Sequence, residues 1–246
     1  MVTFRTRLSK ISKTNGKVIL ANDYDAATRN LESKTIQNIK KLHPFLCGIK
    51  LNFHLLLPLG SKEITRINKA AHHYNLQTIA DIKLNDIGNT NRVTTEHLWN
   101  MGFDAVIVNP IMGLDSLKSL VKSAHKNNKG VITLCHMSAP EAKLSYDMQI
   151  VLKKKQLYQL FLDWALLSKV DGIIAGATFP EIIKYCDKKA GKKLDIFSPG
   201  VGTQGGSARE VVSAGTDYLI VGRTILNDSD PRAIAKELQL QSLAKQ

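Results

Sequence analysis

The chain has 246 residues, 43% hydrophobic and 22% charged, a balance close to that of soluble globular proteins that excludes disorder, collagen-like repeats and a disulfide scaffold. Lysine and arginine total 34 against 21 acidic residues, and the net charge of +13 favours anionic partners: nucleic acid, a membrane surface or a phosphorylated metabolite. Three cysteines, Cys47, Cys135 and Cys186, are too few and too scattered for a disulfide framework or a zinc site, so a reducing, cytoplasmic setting is expected.

The first residues, MVTFRTRLSK, lack the apolar core of a secretory signal, and no run reaches the ~18 apolar residues of a membrane span. The stretch is free of acids up to Asp23 and faintly resembles an organelle presequence; we read it as a short segment leading into the first strand. Eight short β-rich apolar runs follow: Lys17–Asn22, Gly48–Leu51, Thr78–Ile82, Asp104–Asn109, Gly130–Leu134, Gly172–Ala175, Asp195–Phe197 and Tyr218–Val221. Stretches with helical periodicity lie between them, such as Ile64–Tyr74, Leu114–His125, Gln156–Ser168 and Pro180–Lys189. This alternation predicts a parallel sheet, and eight βα units predict an α/β fold, a single (β/α)8 TIM barrel. No Pro/Gly/Ser-rich linker divides the chain, so residues 1–246 read as one domain. Most intervals between runs are 22 to 30 residues, but the interval from Gly130 to Gly172 is 42. The excess marks an insertion around 136–155, containing MSAPEAKLSYD and the lysine run Lys153–Lys155, on the barrel face where long loops act as lids.

In a barrel, catalytic groups gather at the C-terminal ends of strands, and there charged residues interrupt the apolar runs. Asp23 follows VILAN, Lys50 closes CGIK, and Asp81 with Lys83 closes TIADIK. Any one of these is compatible with a solvated loop residue; three on consecutive strands point to a site. Period-2 geometry sends Asp81 and Lys83 to the same side, and with Lys50 they form an array of alternating charge in which carboxylates keep ammoniums protonated; Asp86 lies in the loop beyond. A salt-bridge network that merely closes the barrel top is the competing reading. Buried ion pairs are costly to desolvate and add little stability, which favours function.

A second constellation is Ser198-Pro199-Gly200-Val201-Gly202-Thr203-Gln204-Gly205-Gly206 after the seventh run and Ile220-Val221-Gly222-Arg223 after the eighth. Glycines let backbone N–H groups converge on an anion, and the loops after strands seven and eight are the usual barrel phosphate site. A tight turn explains the glycines alone, but Arg223 adds a side chain able to grip phosphate through two hydrogen bonds. No histidine has zinc-like spacing: His72 and His73 diverge on a helix, and His136 beside the insertion fits a core or loop position. Neither a nucleophile elbow nor a Walker A loop is present. Cofactor-free chemistry on a phosphorylated small molecule remains.

Asp81-x-Lys83-x-x-Asp86-Ile87-x-x-Thr90, with Asp23, Lys50 and the Ser198–Gly206 loop leading to Val221-Gly222-Arg223, resembles orotidine 5′-monophosphate decarboxylase, particularly its compact archaeal-type members. The similarity runs from about Lys17 to the last helix. It implies decarboxylation to uridine 5′-monophosphate in de novo pyrimidine synthesis, without metal or organic cofactor. On that resemblance Lys83 is the acid that protonates C6, and Asp81 lies against the substrate carboxylate. Lys50 and Asp86 complete the array, while Asp23 and Lys50 hold the ribose hydroxyls. Ser138 contacts the pyrimidine; Gln204, Arg223 and the backbone of Gly202 and Gly222, with Pro199 and Gly200 beside them, take the phosphate. The resemblance also implies a homodimer in which Asp86, Ile87 and Thr90 reach into the partner's site. The segment LNFHLLLPLG and the loop SAPEAKLSYD depart from the commoner family pattern. Two other readings stay open: a magnesium-dependent sugar-phosphate decarboxylase or hexulose-phosphate synthase of the same superfamily, and a non-catalytic basic barrel that binds nucleic acid. The second lacks any aromatic-interleaved basic stretch.

Overall fold

Apolar runs without polar alternation are buried on both faces, as a parallel sheet covered by helices requires. The computed structural model describes residues 2–244. Its eight parallel strands are β1 (Val18–Ala21), β2 (Gly48–Asn52), β3 (Gln77–Leu84), β4 (Ala105–Val108), β5 (Gly130–His136), β6 (Gly172–Ala175), β7 (Asp195–Pro199) and β8 (Tyr218–Val221). They close into a barrel, β8 pairing back onto β1 with Val18 opposite Leu219. Alternate side chains, among them Ile19, Ile79, Ile107, Ile132, Ile174 and Phe197, fill the interior, while Leu20, Val106, Val131 and Ile173 face the surrounding helices. Each fully buried aliphatic contributes roughly 1.5–3 kcal/mol.

The N-terminal stretch differs from the expectation of a plain lead-in: Phe4–Asn15 is a helix, capped by Thr3, whose hydroxyl accepts the Thr6 N–H. Phe4 and Leu8, one turn apart, are buried in the barrel floor, and Gly130 leaves the space, since a Cβ there would collide with the Phe4 ring. The two arginines of this segment are structural too. Arg5 donates to both Asp195 oxygens at 3.1 and 2.7 Å, and Arg7 donates to Gln77 at 2.8 Å and Asp104 at 3.2 Å.

One device recurs at that end of the barrel. Asp104, Asp171 and Asp217 immediately precede β4, β6 and β8 and accept backbone N–H groups of Thr78, Val131 and Ile196, each at 2.9 Å, tying each strand to its predecessor. His125 bonds Asp171 at 2.9 Å, and that bond raises the His125 pKa despite partial burial. A raised folded-state pKa stabilises fully below the unfolded value and is lost as pH rises through the folded one. Thermal melts should therefore show a small loss of stability above pH ~6.5 that His125→Gln removes; identical profiles would refute the assignment.

Between β5 and β6 the chain forms a short helix (Ala142–Ser145), then a hairpin of two-residue strands, Gln149–Ile150 and Lys155–Gln156, before the helix Leu157–Ser168. The lysine run thus lies on a hairpin turn, with Lys154 in the left-handed region, and Lys155 pairs with Asp163. The fold also joins two cysteines distant in sequence: the buried Cys135 and Cys186 sulfurs lie 3.8 Å apart as free thiols. Among the described residues no helix is long and apolar enough to cross a membrane.

Candidate active site

Parallel strands end together at one rim of the barrel, so residues closing successive strands become neighbours. Lys50 donates to Asp81 Oδ2 at 2.9 Å, and Lys83 donates to Asp81 Oδ1 at 2.8 Å, one ammonium on each carboxylate oxygen. Lys50 also lies 3.6 Å from Asp23, completing a chain of alternating charge, Lys83, Asp81, Lys50, Asp23. Lys50 and Asp81 are buried, whereas the Lys83 side chain is 39% exposed and faces the cleft mouth.

Burial alone would push the Asp81 carboxyl up, but the two ammoniums outweigh it and hold its pKa below the usual value. Burial likewise works against charge on Lys50, and the carboxylates of Asp81 and Asp23 reverse the balance, raising its pKa. Asp81 and Lys50, the two buried members of the array, are therefore each held in the charged form by their neighbours.

Lys83 does not reach Asp81 by regular strand geometry. Its φ is +46°, in the left-handed region that a lysine rarely adopts, and the pairing of β3 with β4 shifts register between Asp81 and Leu84. Such a conformation costs roughly 1–3 kcal/mol and persists where surrounding contacts enforce it, typically at functional sites. Here the bulge turns the ammonium back over the carboxylate.

The opposite wall is the loop after β7. Gly202 has φ +76°, and a Cβ on it would collide with Thr224 Oγ1. That hydroxyl accepts the Thr203 N–H at 3.0 Å and donates to the Val201 carbonyl at 3.1 Å, bracing the loop against the chain after β8. Arg223 is exposed, lines the same cleft, and has no ion-pair partner among the described residues.

The cleft, about 220 Å³, is lined by Asp23, Lys50, Asp81 and Lys83 on one side and by Pro199, Gly200, Gln204, Gly222 and Arg223 on the other. Ser138 sits at its edge, and Ile107, Leu134, Ile174 and Ile220 make an apolar floor. Three expected groups are elsewhere. Asp86, Ile87 and Thr90 are exposed and do not line the cleft of their own chain; Asp86 accepts its neighbour Ile87's N–H at 2.7 Å. Gly202 also stands outside the lining, and its N–H is donated to the Gly206 carbonyl at 2.8 Å.

Asn52 was missed by sequence reasoning. It ends β2 two residues after Lys50, on the same face, and donates to Asp23 Oδ1 at 2.7 Å. Its Oδ1 is buried without a partner, an acceptor available to a ligand hydroxyl. Period 2 from Lys50 was the signal that could have found it.

A larger concavity of about 1530 Å³ lies at the other end of the barrel, beside the N-terminal helix. Lysines such as Lys10, Lys13, Lys192 and Lys193 line it, and all four are exposed, carrying part of the excess charge. The Lys/Asp array is not there. Among the described residues no three His, Cys, Asp or Glu side chains converge as metal ligands.

The profile of the orotidine 5′-phosphate decarboxylase / HUMPS family matches residues 16–238. The chain is 35% identical over 227 residues to the orotidine 5′-phosphate decarboxylase of Methanosarcina mazei, covering 90% of this chain and 95% of that protein. It is 33% identical over 223 residues to the Pyrococcus abyssi enzyme of the same name, covering 90% and 96%. Among solved structures, Methanocaldococcus jannaschii orotidine 5′-monophosphate decarboxylase complexed with the inhibitor BMP matches with a TM-score of 0.78 at 30% identity, covering 93% of this chain and 99% of that one.

Proposed function

Because the chain belongs to the orotidine 5′-phosphate decarboxylase / HUMPS family, we propose that its cleft converts orotidine 5′-monophosphate to uridine 5′-monophosphate and carbon dioxide, in de novo pyrimidine synthesis. The observation that carries this reading is the fully paired Lys83–Asp81–Lys50–Asp23 chain facing a braced glycine loop and an exposed arginine across one apolar-floored cleft.

The nucleotide phosphate lies against Arg223, Gln204 and the loop after β7, and the ribose hydroxyls meet Asp23, Lys50 and Asn52. The pyrimidine then spans the apolar floor toward Lys83, with Ser138 at its edge. The substrate carboxylate is set against Asp81, a carboxylate kept ionised by its two ammoniums. As the bond between C6 and the carboxylate breaks, its electron pair stays on C6, and carbon dioxide leaves. Lys83 transfers one Nζ proton to C6, becomes a neutral amine and regains a proton from solvent. A fixed cation, shielded from water once the loops close over the nucleotide, stabilises the developing negative charge more than it does the dispersed charge of the ground state. Phosphate binding, remote from C6, can drive closure of the loops.

We extend the proposal to a homodimer and a cytoplasmic setting. The dimer is supported by apolar side chains exposed on the loops after β2 to β4, Phe53, Leu57, Ile87 and Ile111, and it gives Asp86, Ile87 and Thr90 a role in the partner's cleft. The setting rests on cysteine usage alone.

The reading is tested by mixing purified protein with orotidine 5′-monophosphate in the presence of a metal chelator and following its absorbance and the appearance of uridine 5′-monophosphate. Turnover is expected to be unaffected by the chelator. No turnover, or magnesium-dependent action on a sugar phosphate instead, overturns it. Arg223→Ala should raise KM roughly 100-fold, the loss of two charge-assisted hydrogen bonds, while leaving the slow reaction of phosphate-free orotidine unchanged. An equal loss on both substrates would remove Arg223 from the phosphate site.

A further inference from the structure

We propose that His136 and Asp147 form a clasp that seats the β5–β6 insertion over the cleft, making His136 a positioning residue for Ser138; the proposal rests on the reading of the cleft given above. His136 closes β5, fully buried, two residues before Ser138. Its Nδ1 lies 2.9 Å from the Met137 carbonyl oxygen, and its Nε2 lies 3.4 Å from Asp147 Oδ1. Both Nε2 and that carboxylate oxygen are buried and lack a hydrogen-bond partner. Two polar atoms of complementary chemistry, buried face to face and just beyond bonding geometry, form a contact that a movement well under an ångström completes.

The surroundings fit that role. Rings of Phe179, Tyr146 and Tyr158 stand 4.5, 5.5 and 5.9 Å from the imidazole, each from a different segment, and keep water from taking the place of either partner. Lys143 lies over the nearest of these rings, Phe179, and Asp147 is the acid that faces the imidazole. One ring nitrogen faces a carbonyl and the other a carboxylate, so each has an acceptor oxygen in front of it.

The ends joined by the clasp are themselves anchored. On one side the Ser138 carbonyl accepts the Thr178 hydroxyl at 2.8 Å. On the other, the Asp147 carbonyl accepts Gln156 Nε2 at 3.3 Å and the Tyr146 carbonyl accepts the Tyr158 N–H at 2.9 Å, fixing Asp147 to the start of the helix Leu157–Ser168. Closing the last gap draws the strand end that carries Ser138 and the root of the hairpin into one unit. Bound nucleotide stabilises that closed arrangement and is held by it.

The test compares Asp147→Ala, at a side chain 28% exposed and so tolerant of replacement, with His136→Phe and the double variant. Each single variant is expected to raise KM for orotidine 5′-monophosphate roughly tenfold with kcat changed less than about threefold, and the double variant to be no worse than either. Asp147→Asn, which keeps an acceptor oxygen, should recover most of the loss. Amide hydrogen exchange across residues 138–148 should be faster in Asp147→Ala than in the natural chain, and uridine 5′-monophosphate should slow it only in the latter. Unchanged KM in Asp147→Ala, or additive penalties in the double variant, overturn the clasp even if His136→Phe fails to fold. If the natural chain does not act on orotidine 5′-monophosphate, the proposed function fails, and the ligand-free exchange comparison still decides for or against the clasp.

Discussion

Replacing Lys83 by alanine is expected to lower kcat for orotidine 5′-monophosphate by roughly 10⁴- to 10⁶-fold, while the protein keeps its fold. Two contributions disappear together. One is the proton donor at C6; the other is the fixed positive charge that stabilises the electron pair left by carbon dioxide. General acid catalysis and electrostatic stabilisation each supply several orders of magnitude, and among the described residues no other lysine reaches Asp81 from the open side of the cleft. Folding should suffer little, because the Lys83 side chain is 39% exposed and Asp81 retains Lys50 at 2.9 Å. Removing a lysine from a strained left-handed position gives no large change in either direction. Quantified product formation, alongside a thermal melt, checks both halves; a loss below about 100-fold would take the proton transfer away from Lys83.

Asp81→Asn should damage activity and stability together. The substitution leaves two ammoniums facing one neutral amide, and the Lys50 side chain, 7% exposed, keeps only Asp23 at 3.6 Å. Breaking a buried charge pair from one side typically costs about 3–5 kcal/mol, far more than the intact pair contributes. A loss of at least about 10³-fold in kcat is expected as well, since Lys83 loses the partner that aims it. The pH dependence follows from the sign of the shift. Asp81's pKa is depressed in the fold, so its stabilisation is present above the unfolded value and is lost as pH falls through the folded one. Acid unfolding of the natural chain should therefore have a component below pH ~4 that Asp81→Asn lacks. Equal acid sensitivity in the two would show that Asp81 is not held by its neighbours.

How far the sequence could be read depended on whether the determining contact was local. The eight strands were readable because a run buried on both faces carries its own signal, as in Val18–Ala21 or Ala105–Val108. The array was readable for the related reason that strand ends in a closed barrel are adjacent by construction. The N-terminal helix was not. Phe4, Leu8 and Ile11 have helical spacing, but the surface that makes them a stopper is the floor around Gly130, more than a hundred residues away. Lys83 falls between these cases: its partner was correctly expected, yet period 2 gave the wrong reason, because the bulge that turns it depends on the pairing of β3 with β4. Gly202 shows the same limit. Its glycine character signals a tight loop, but only the bond to Gly206 shows that its N–H is already used. Asp86, Ile87 and Thr90 lie at the surface of the chain and outside its cleft, where only the proposed homodimer would give them a part in the site.

The most direct test of the chemistry is decarboxylation in heavy water with a metal chelator present, the product being read by proton NMR for the natural chain and for Lys83→Ala at matched concentration. One deuterium at C6 of uridine 5′-monophosphate for each carbon dioxide released, from the natural chain alone, is the expected result. Comparable turnover by Lys83→Ala, or no product from either protein, would contradict the assignment of the cleft and of the lysine within it.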